Sequence, residues 1–162
     1  MVCSGGSARM KPPGWRLCRC LSWTHSSSDW TLAIANMLQA KAWLGNLKVG
    51  DEVIITALPL YHIFALTANC LVFMALGGRN LLVTNPRDMP GFVKEISKFR
   101  FNLLTGVNTM FAGLLNTPGF SDIDFSALRV VVGGGMAVQP AVAREWHKVT
   151  GKPILQGYGL TE

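Results

Sequence analysis

The sequence predicts an α/β domain: a parallel sheet with helices covering it. Two observations carry this. Short apolar runs rich in β-branched residues alternate with helical segments about five times between residues 53 and 162. These runs are continuously apolar, as expected for strands buried on both faces of a parallel sheet.

The elements come in order. Residues 1–34 have neither helical nor strand periodicity and are rich in Ser, Gly, Pro, Cys and Trp. Beyond them, Ile34, Met37, Leu38 and Leu44 recur near helical spacing, and "NLKVGD" reads as a turn. "VIITAL" (53–58) is a predicted strand. Residues 60–76 read as a buried helix ending at Gly77-Gly78. Next come a strand over 80–84, an amphipathic helix over 90–99, a strand over 101–106 and a helix over 108–116 that stops before Pro118. A strand over 128–134 runs into glycines. The helix over 139–151 has Pro140 near its first turn and Gly151 at its end, with Val142, Trp146 and Val149 on one face. "PILQGYG" (153–159) is predicted as the last strand.

Composition narrows the function. The chain has 162 residues, 49% hydrophobic and 15% charged, which excludes a disordered protein and gives enough length for one real core. The net charge of +6 is concentrated toward the start, where Arg9, Lys11, Arg16 and Arg19 face only Asp29. A mild excess suits nucleotides or an anionic surface. No basic run with interleaved aromatics marks a nucleic-acid partner. Of the four cysteines, Cys3, Cys18, Cys20 and Cys70, no set has zinc-site spacing, so free thiols in a reducing compartment are expected. The most apolar stretch, Ile63 to Leu76, is interrupted by Thr67 and Asn69 and is shorter than the roughly 20 residues of a membrane span.

In parallel α/β sheets ligands bind at the carboxyl ends of the strands. Three unusual segments lie at predicted strand ends. In "LPLYHIFAL" (58–66), Tyr61, His62 and Phe64 crowd a helix start, where His62 could orient a carboxylate, line an apolar tunnel or simply pack. In "VVGGGMAV", Gly133, Gly134 and Gly135 let the backbone lie against a planar ligand or a phosphate, or serve a plain strand-to-helix turn. In "GYGLTE", Tyr158 offers a face to a purine, Thr161 a hydroxyl to a phosphate and Glu162 a ligand to magnesium, the alternative being an ordinary loop.

Taken together, "TALPLYHIFALTANCLVFMALGG", "LLVTNPRDMPGFVKEI", "TGVNTMFAGLLN", "GGGMAVQ" and "GYGLTE" resemble, in this order and spacing, the bacterial long-chain fatty-acid–CoA ligases of the adenylate-forming superfamily. The resemblance covers residues 35–162, a partial AMP-binding domain. It implies a fatty acid, ATP with magnesium, and coenzyme A as substrates, joined through an acyl-adenylate. It implies that Gly133, Gly134, Gly135 and Met136 border the adenine and acyl sites, and that the Gly157-Tyr158-Gly159 turn packs Tyr158 on adenine. It assigns Thr161 to phosphate, Glu162 to magnesium, His62 to the mouth of the acyl site, and Gly106 and Val107 to its lining. A cytoplasmic location is implied too, with peripheral contact to the inner membrane face allowed by a bilayer-partitioning substrate. A cut sheet edge allows self-association.

Two departures qualify the resemblance. "CSGGSARMKPPG" stands where the family has an ordered phosphate loop, so the frame upstream of about Ile34 is expected to have been lost by a frameshift or a misplaced start. The family's ribose-gripping aspartate, hinge and C-terminal lysine domain would come after Glu162. The chain is therefore expected to be an internal fragment, inactive alone, with a non-catalytic acyl- or nucleotide-binding module or a truncated relic as the alternative.

Overall fold

The computed structural model describes residues 21–22, 37–42, 47–157 and 159–160. A two-residue strand, β1 (Leu21–Ser22), lies within the segment read as patternless, and helical residues 37–42 (α1) come next. Strand β2 (Val53–Thr56) leads into one helical run with three parts: α2 (Ile63–Ala65), a π-helical segment (Leu66–Leu71) and α3 (Val72–Leu76). Then come β3 (Arg79–Leu82), α4 (Met89–Ile96), β4 (Leu103–Gly106), α5 (Asn108–Leu115), β5 (Val130–Gly133), α6 (Pro140–Thr150), β6 (Ile154–Gln156) and β7 (Gly159–Leu160).

The main sheet is parallel throughout, in the order β3-β2-β4-β5-β6. From β2 the chain crosses to β3 on one side, whereas from β4 it proceeds through β5 and β6 on the other. The topological switch therefore lies between β2 and β4, where Thr56 stands opposite Thr105. A ligand crevice in such a sheet opens beyond the carboxyl ends of the two switch strands.

Alternate residues of each strand face opposite layers. Ile55, Leu104 and Val131 point into the larger core, with Phe92 and Ile96 of α4, Phe111 and Leu114 of α5 and Trp146 of α6. Phe111 meets Trp146 edge-on with ring centroids 4.9 Å apart. Ile54 and Leu103 point the other way, against Val72, Phe73 and Leu76 of α3 and Ala40 of α1. On α6, Trp146 is fully buried, and Val142 and Val149 pack partly buried beside it, the face that the periodicity predicts.

Local chemistry sets the ends of the helices. Asp88 caps α4, its Oδ1 accepting the Gly91 N–H at 3.1 Å, with Pro90 in the first turn. Gly77 and Gly151 end α3 and α6 in the left-handed conformation that costs glycine least.

Besides β1, two features differ from the sequence reading. The helical run starts at Ile63 rather than 60, because Pro59 to His62 form a turn in which the His62 N–H donates to the Pro59 carbonyl at 3.0 Å. The last predicted strand is two strands. β6 ends at Gln156, the Gly157 N–H turns to the Gly133 carbonyl at 2.8 Å, and β7 pairs with β1 in a separate two-stranded sheet. Among the described residues, no helix is long and apolar enough to cross a membrane.

Candidate functional site at the carboxyl edge of the sheet

The segments beyond each strand assemble the site. After β2, Pro59 has no N–H to extend the ladder. His62 then stands exposed, with extended backbone, and its Nδ1 accepts the Phe64 N–H at 3.3 Å, capping the helical run. With Nδ1 engaged, Nε2 is the ring nitrogen left for a ligand. After β4, half-buried Val107 opens α5.

The glycines at the ends of β4, β5 and β6 continue the ladder past the strands. The Gly134 N–H donates to the Gly106 carbonyl at 3.0 Å, and Gly157 bonds Gly133 as described. Their reasons for lacking a side chain differ. A Cβ on Gly106 would collide with Met110 Cε, and one on Gly133 would lie 2.7 Å from Val138 Cγ2, so both glycines serve the layer under α5. What Gly106 can offer a ligand is therefore backbone. A Cβ on Gly134 would stand 3.2 Å from ring carbons of Phe64. The half-buried Phe64 ring thus lies on bare backbone and joins the "PLYHIF" segment to the glycine loop.

Gly135 has φ +77°, a conformation that L side chains rarely adopt, and its Cβ position lies 3.6 Å from Val107 Cγ1. His62 with Phe64, Val107 and Gly133 to Gly135 are therefore one cluster, beside the switch between β2 and β4. Met136 is 55% exposed at the loop's tip. Two amides then pin the loop's return. The Val138 N–H donates to Gln156 Oε1 at 3.3 Å, and the Gln139 N–H donates to Asn108 Oδ1 at 2.9 Å.

Sequence reasoning missed Asn108 and Gln156 as loop anchors and noted Phe64 only for crowding. Neither anchor has a local signal in the sequence: Asn108 is the first residue of α5 and Gln156 the last of β6, and their partners are supplied only by the fold. Tyr158, Thr161 and Glu162 lie outside the described residues, and with them the purine, phosphate and magnesium assignments. Gly159 is described through its backbone, which pairs with Leu21. Among the described residues, no group of three or more His, Cys, Asp or Glu could hold a metal ion. The cluster offers a bare, tightly turned backbone with an aromatic wall on one side and a histidine at its rim, suited to a flat or phosphate-bearing ligand beside an apolar one.

The opposite edge of the sheet is polar and closed. Glu52, 1% exposed, accepts the Lys48 N–H at 2.7 Å and pairs with Arg129. Burial acts to raise its carboxyl, but the Arg129 hydrogen bond, the Lys48 amide and the two nearby charges outweigh it, and the net shift is downward. Asn102 Oδ1 accepts the Val53 N–H at 2.9 Å, and its carbonyl takes both the Arg129 and Val130 amides.

A five-stranded parallel sheet with a glycine loop at its carboxyl edge defines a parallel α/β domain, and the comparisons specify which kind. The chain belongs to the AMP-binding enzyme family, which it matches over residues 24–162. It is 60% identical over 129 residues to a long-chain-fatty-acid–CoA ligase of Yersinia pestis, an overlap covering 79% of this chain and 23% of that protein. Among solved structures it is similar to the anthranilate CoA ligase AuaEII in complex with anthranoyl-AMP, with TM-score 0.67 and 27% identity over 78% of this chain and 25% of that one. The N-terminal domain of FACL13 from Mycobacterium tuberculosis shares the fold, with TM-score 0.66 and 21% identity over 76% of this chain and 31% of that one. The chain thus spans about a quarter of the length of the curated relatives it matches.

Proposed function

We propose that this chain is the portion of a long-chain fatty-acid–CoA ligase that carries the acyl-site mouth and part of the nucleotide site. The reaction joins a fatty acid and ATP into an acyl-adenylate with release of pyrophosphate. The coenzyme A thiol then displaces AMP to give the thioester. One observation carries the reading: the family match runs through all the segments that the fold gathers at the carboxyl edge.

On this reading, Gly133, Gly134, Gly135 and Met136 border adenine on one side and the acyl group on the other. His62 stands at the acyl mouth, and Val107 with the Gly106 backbone lines it. Tyr158, within the Gly157 to Gly159 turn, stacks on the purine. Thr161 bonds phosphate, and Glu162 holds magnesium, which when bound neutralises phosphate charge that would repel the carboxylate. Peripheral membrane contact and self-association belong to the same reading, supported by the nature of the substrate and by the edge positions of β3 and β6 in the sheet of the described residues.

The test is a chimera in which residues 35–162 replace the matching segment of the Yersinia pestis relative. Palmitoyl-CoA formation is expected, as is its loss in a Gly134→Leu version. A folded but inactive chimera would overturn the reading. The 162-residue chain alone is expected to form no palmitoyl-CoA, because groups that act as a unit lose their effect when divided.

A further inference from the structure

The π-helical segment holds a buried polar circuit that the reading above does not use. Asn69, fully buried, donates from Nδ2 to Thr105 Oγ1 at 2.7 Å and to Thr56 Oγ1 at 3.0 Å. Thr56 passes the bond on to Asn80 Oδ1 at 2.9 Å, and Asn80 Nδ2 returns to the Asn69 carbonyl at 3.1 Å. The circuit therefore closes on the residue where it starts. It ties the helical run to β2, β3 and β4 together, at the only register pair of the two switch strands in which both residues are threonine.

Its place gives it a consequence. Thr105 immediately precedes Gly106 and Val107 in the chain. Thr56 immediately precedes the Ala57 to Pro59 segment that leads to His62. Asn69 sits in the run that His62 caps. The acyl mouth is thus bounded by chain segments that all lead back to one side chain. A π-helical turn is wider than an α-helical one and is retained where it serves a local geometry. Here it brings the Asn69 amide over both threonine hydroxyls at once. Three polar side chains are buried here under an apolar helix. Both hydrogens of Asn69 Nδ2 find acceptors, whereas its Oδ1 has no partner among the described residues, so the two donated bonds set the register.

We propose that Asn69 is a positioning residue for acyl binding: its amide, clamped on Thr56 and Thr105, fixes the gap between His62 and Val107. The proposal rests on the acyl-site reading. It differs from a purely structural role in what it changes. A structural role lowers the melting temperature and leaves the affinity of the folded chain alone. A positioning role lowers the affinity for a long-chain acid in chain that is still folded.

The test titrates the chimera of residues 35–162 in the Yersinia pestis relative with parinaric acid, a fluorescent long-chain acid, well below the melting temperature of each variant. Asn69→Leu keeps the branched shape, though with a larger side chain, and removes both donors. It should weaken binding at least about fivefold, the equivalent of losing one net hydrogen bond. Thr105→Val should weaken it in the same direction and Thr105→Ser should not, which keeps the test sharp if Asn69→Leu fails to fold. Equal affinity in the unsubstituted chimera and in its folded Asn69→Leu and Thr105→Val variants would overturn the positioning role while leaving the acyl site standing. A folded chimera that binds no parinaric acid without these substitutions would overturn the acyl-site reading itself, and the positioning role with it.

Discussion

The two edges of the sheet are built on opposite principles. At the amino edge, Glu52, Arg129, Lys48 and Asn102 lock β2, β4 and β5 with directed bonds to a buried carboxylate and a carboxamide. At the carboxyl edge the same strands end in glycines, an exposed histidine and an exposed methionine, held by backbone-to-backbone bonds and two amide anchors. One edge is locked by side-chain polar groups, and the other is held mainly through backbone and leaves His62 and Met136 exposed. Substitutions at the two edges should therefore sort by their effect on stability.

The largest effect is expected from Arg129→Met, which strands the Glu52 carboxylate in the interior. Removing one partner of a buried pair costs several kcal/mol, but Arg129 is 38% exposed, so a loss of about 2 kcal/mol is expected in urea unfolding. A loss no greater than that of an ordinary surface substitution would mean that the amino edge is not a lock. Asn102→Ala should come second at about 1–2 kcal/mol, since it leaves the Val53 amide without its acceptor.

Acid comes next. The Glu52 carboxyl lies below its ordinary value of 4.5 in the folded chain, so it binds a proton less readily there than when unfolded. Its contribution is present above that value and is lost as pH falls below 4.5 through the folded value. Asp124, held down by hydrogen bonds from Ser126 and then by Arg100, adds a small term of the same sign between 3.8 and about 2. Melting temperature should therefore drop on acidification below 4.5, and Arg129→Met should flatten that drop. An unchanged acid profile in the variant would remove Glu52 from the account.

The smallest stability effect should come from the other edge. Met136→Ala changes an exposed side chain and should stay within about 0.5 kcal/mol of the wild type, and His62→Ala, which loses only an exposed cap bond of 3.3 Å, should cost no more than about 1 kcal/mol. A larger loss from either would break the comparison, by showing that the carboxyl edge also carries stability.

Much of this was legible in the sequence. Continuous apolar runs such as "VIIT" and "VVVG" identify buried strands, and the glycines that close β4 and β5 mark where those strands end. Strand order was not legible, because the neighbours of β2 depend on which way each crossover turns. Nor were the anchors. Asn108 meets Gln139 and Gln156 meets Val138 only through tertiary structure, and neither has a local signature. Gly106 was legible as important but not for its reason: its hydrogen makes room for Met110, a neighbour that the helix supplies only once it is docked. The single strand predicted over 153–159 failed because a continuous pattern cannot reveal that Gly157 turns to Gly133 while Gly159 joins another sheet.

The widened turn at Leu66–Leu71 also constrains how this segment can change length. Deleting one residue there would restore an ordinary α-helix, and each residue of such a helix turns the chain by about 100°. The two halves of the run would be twisted against one another by that angle. Either Val72, Phe73 and Leu76 would swing out of the core, or His62 would swing away from the edge. Lineages carrying this helix should therefore keep its residue count while freely exchanging its exposed side chains, such as Met74.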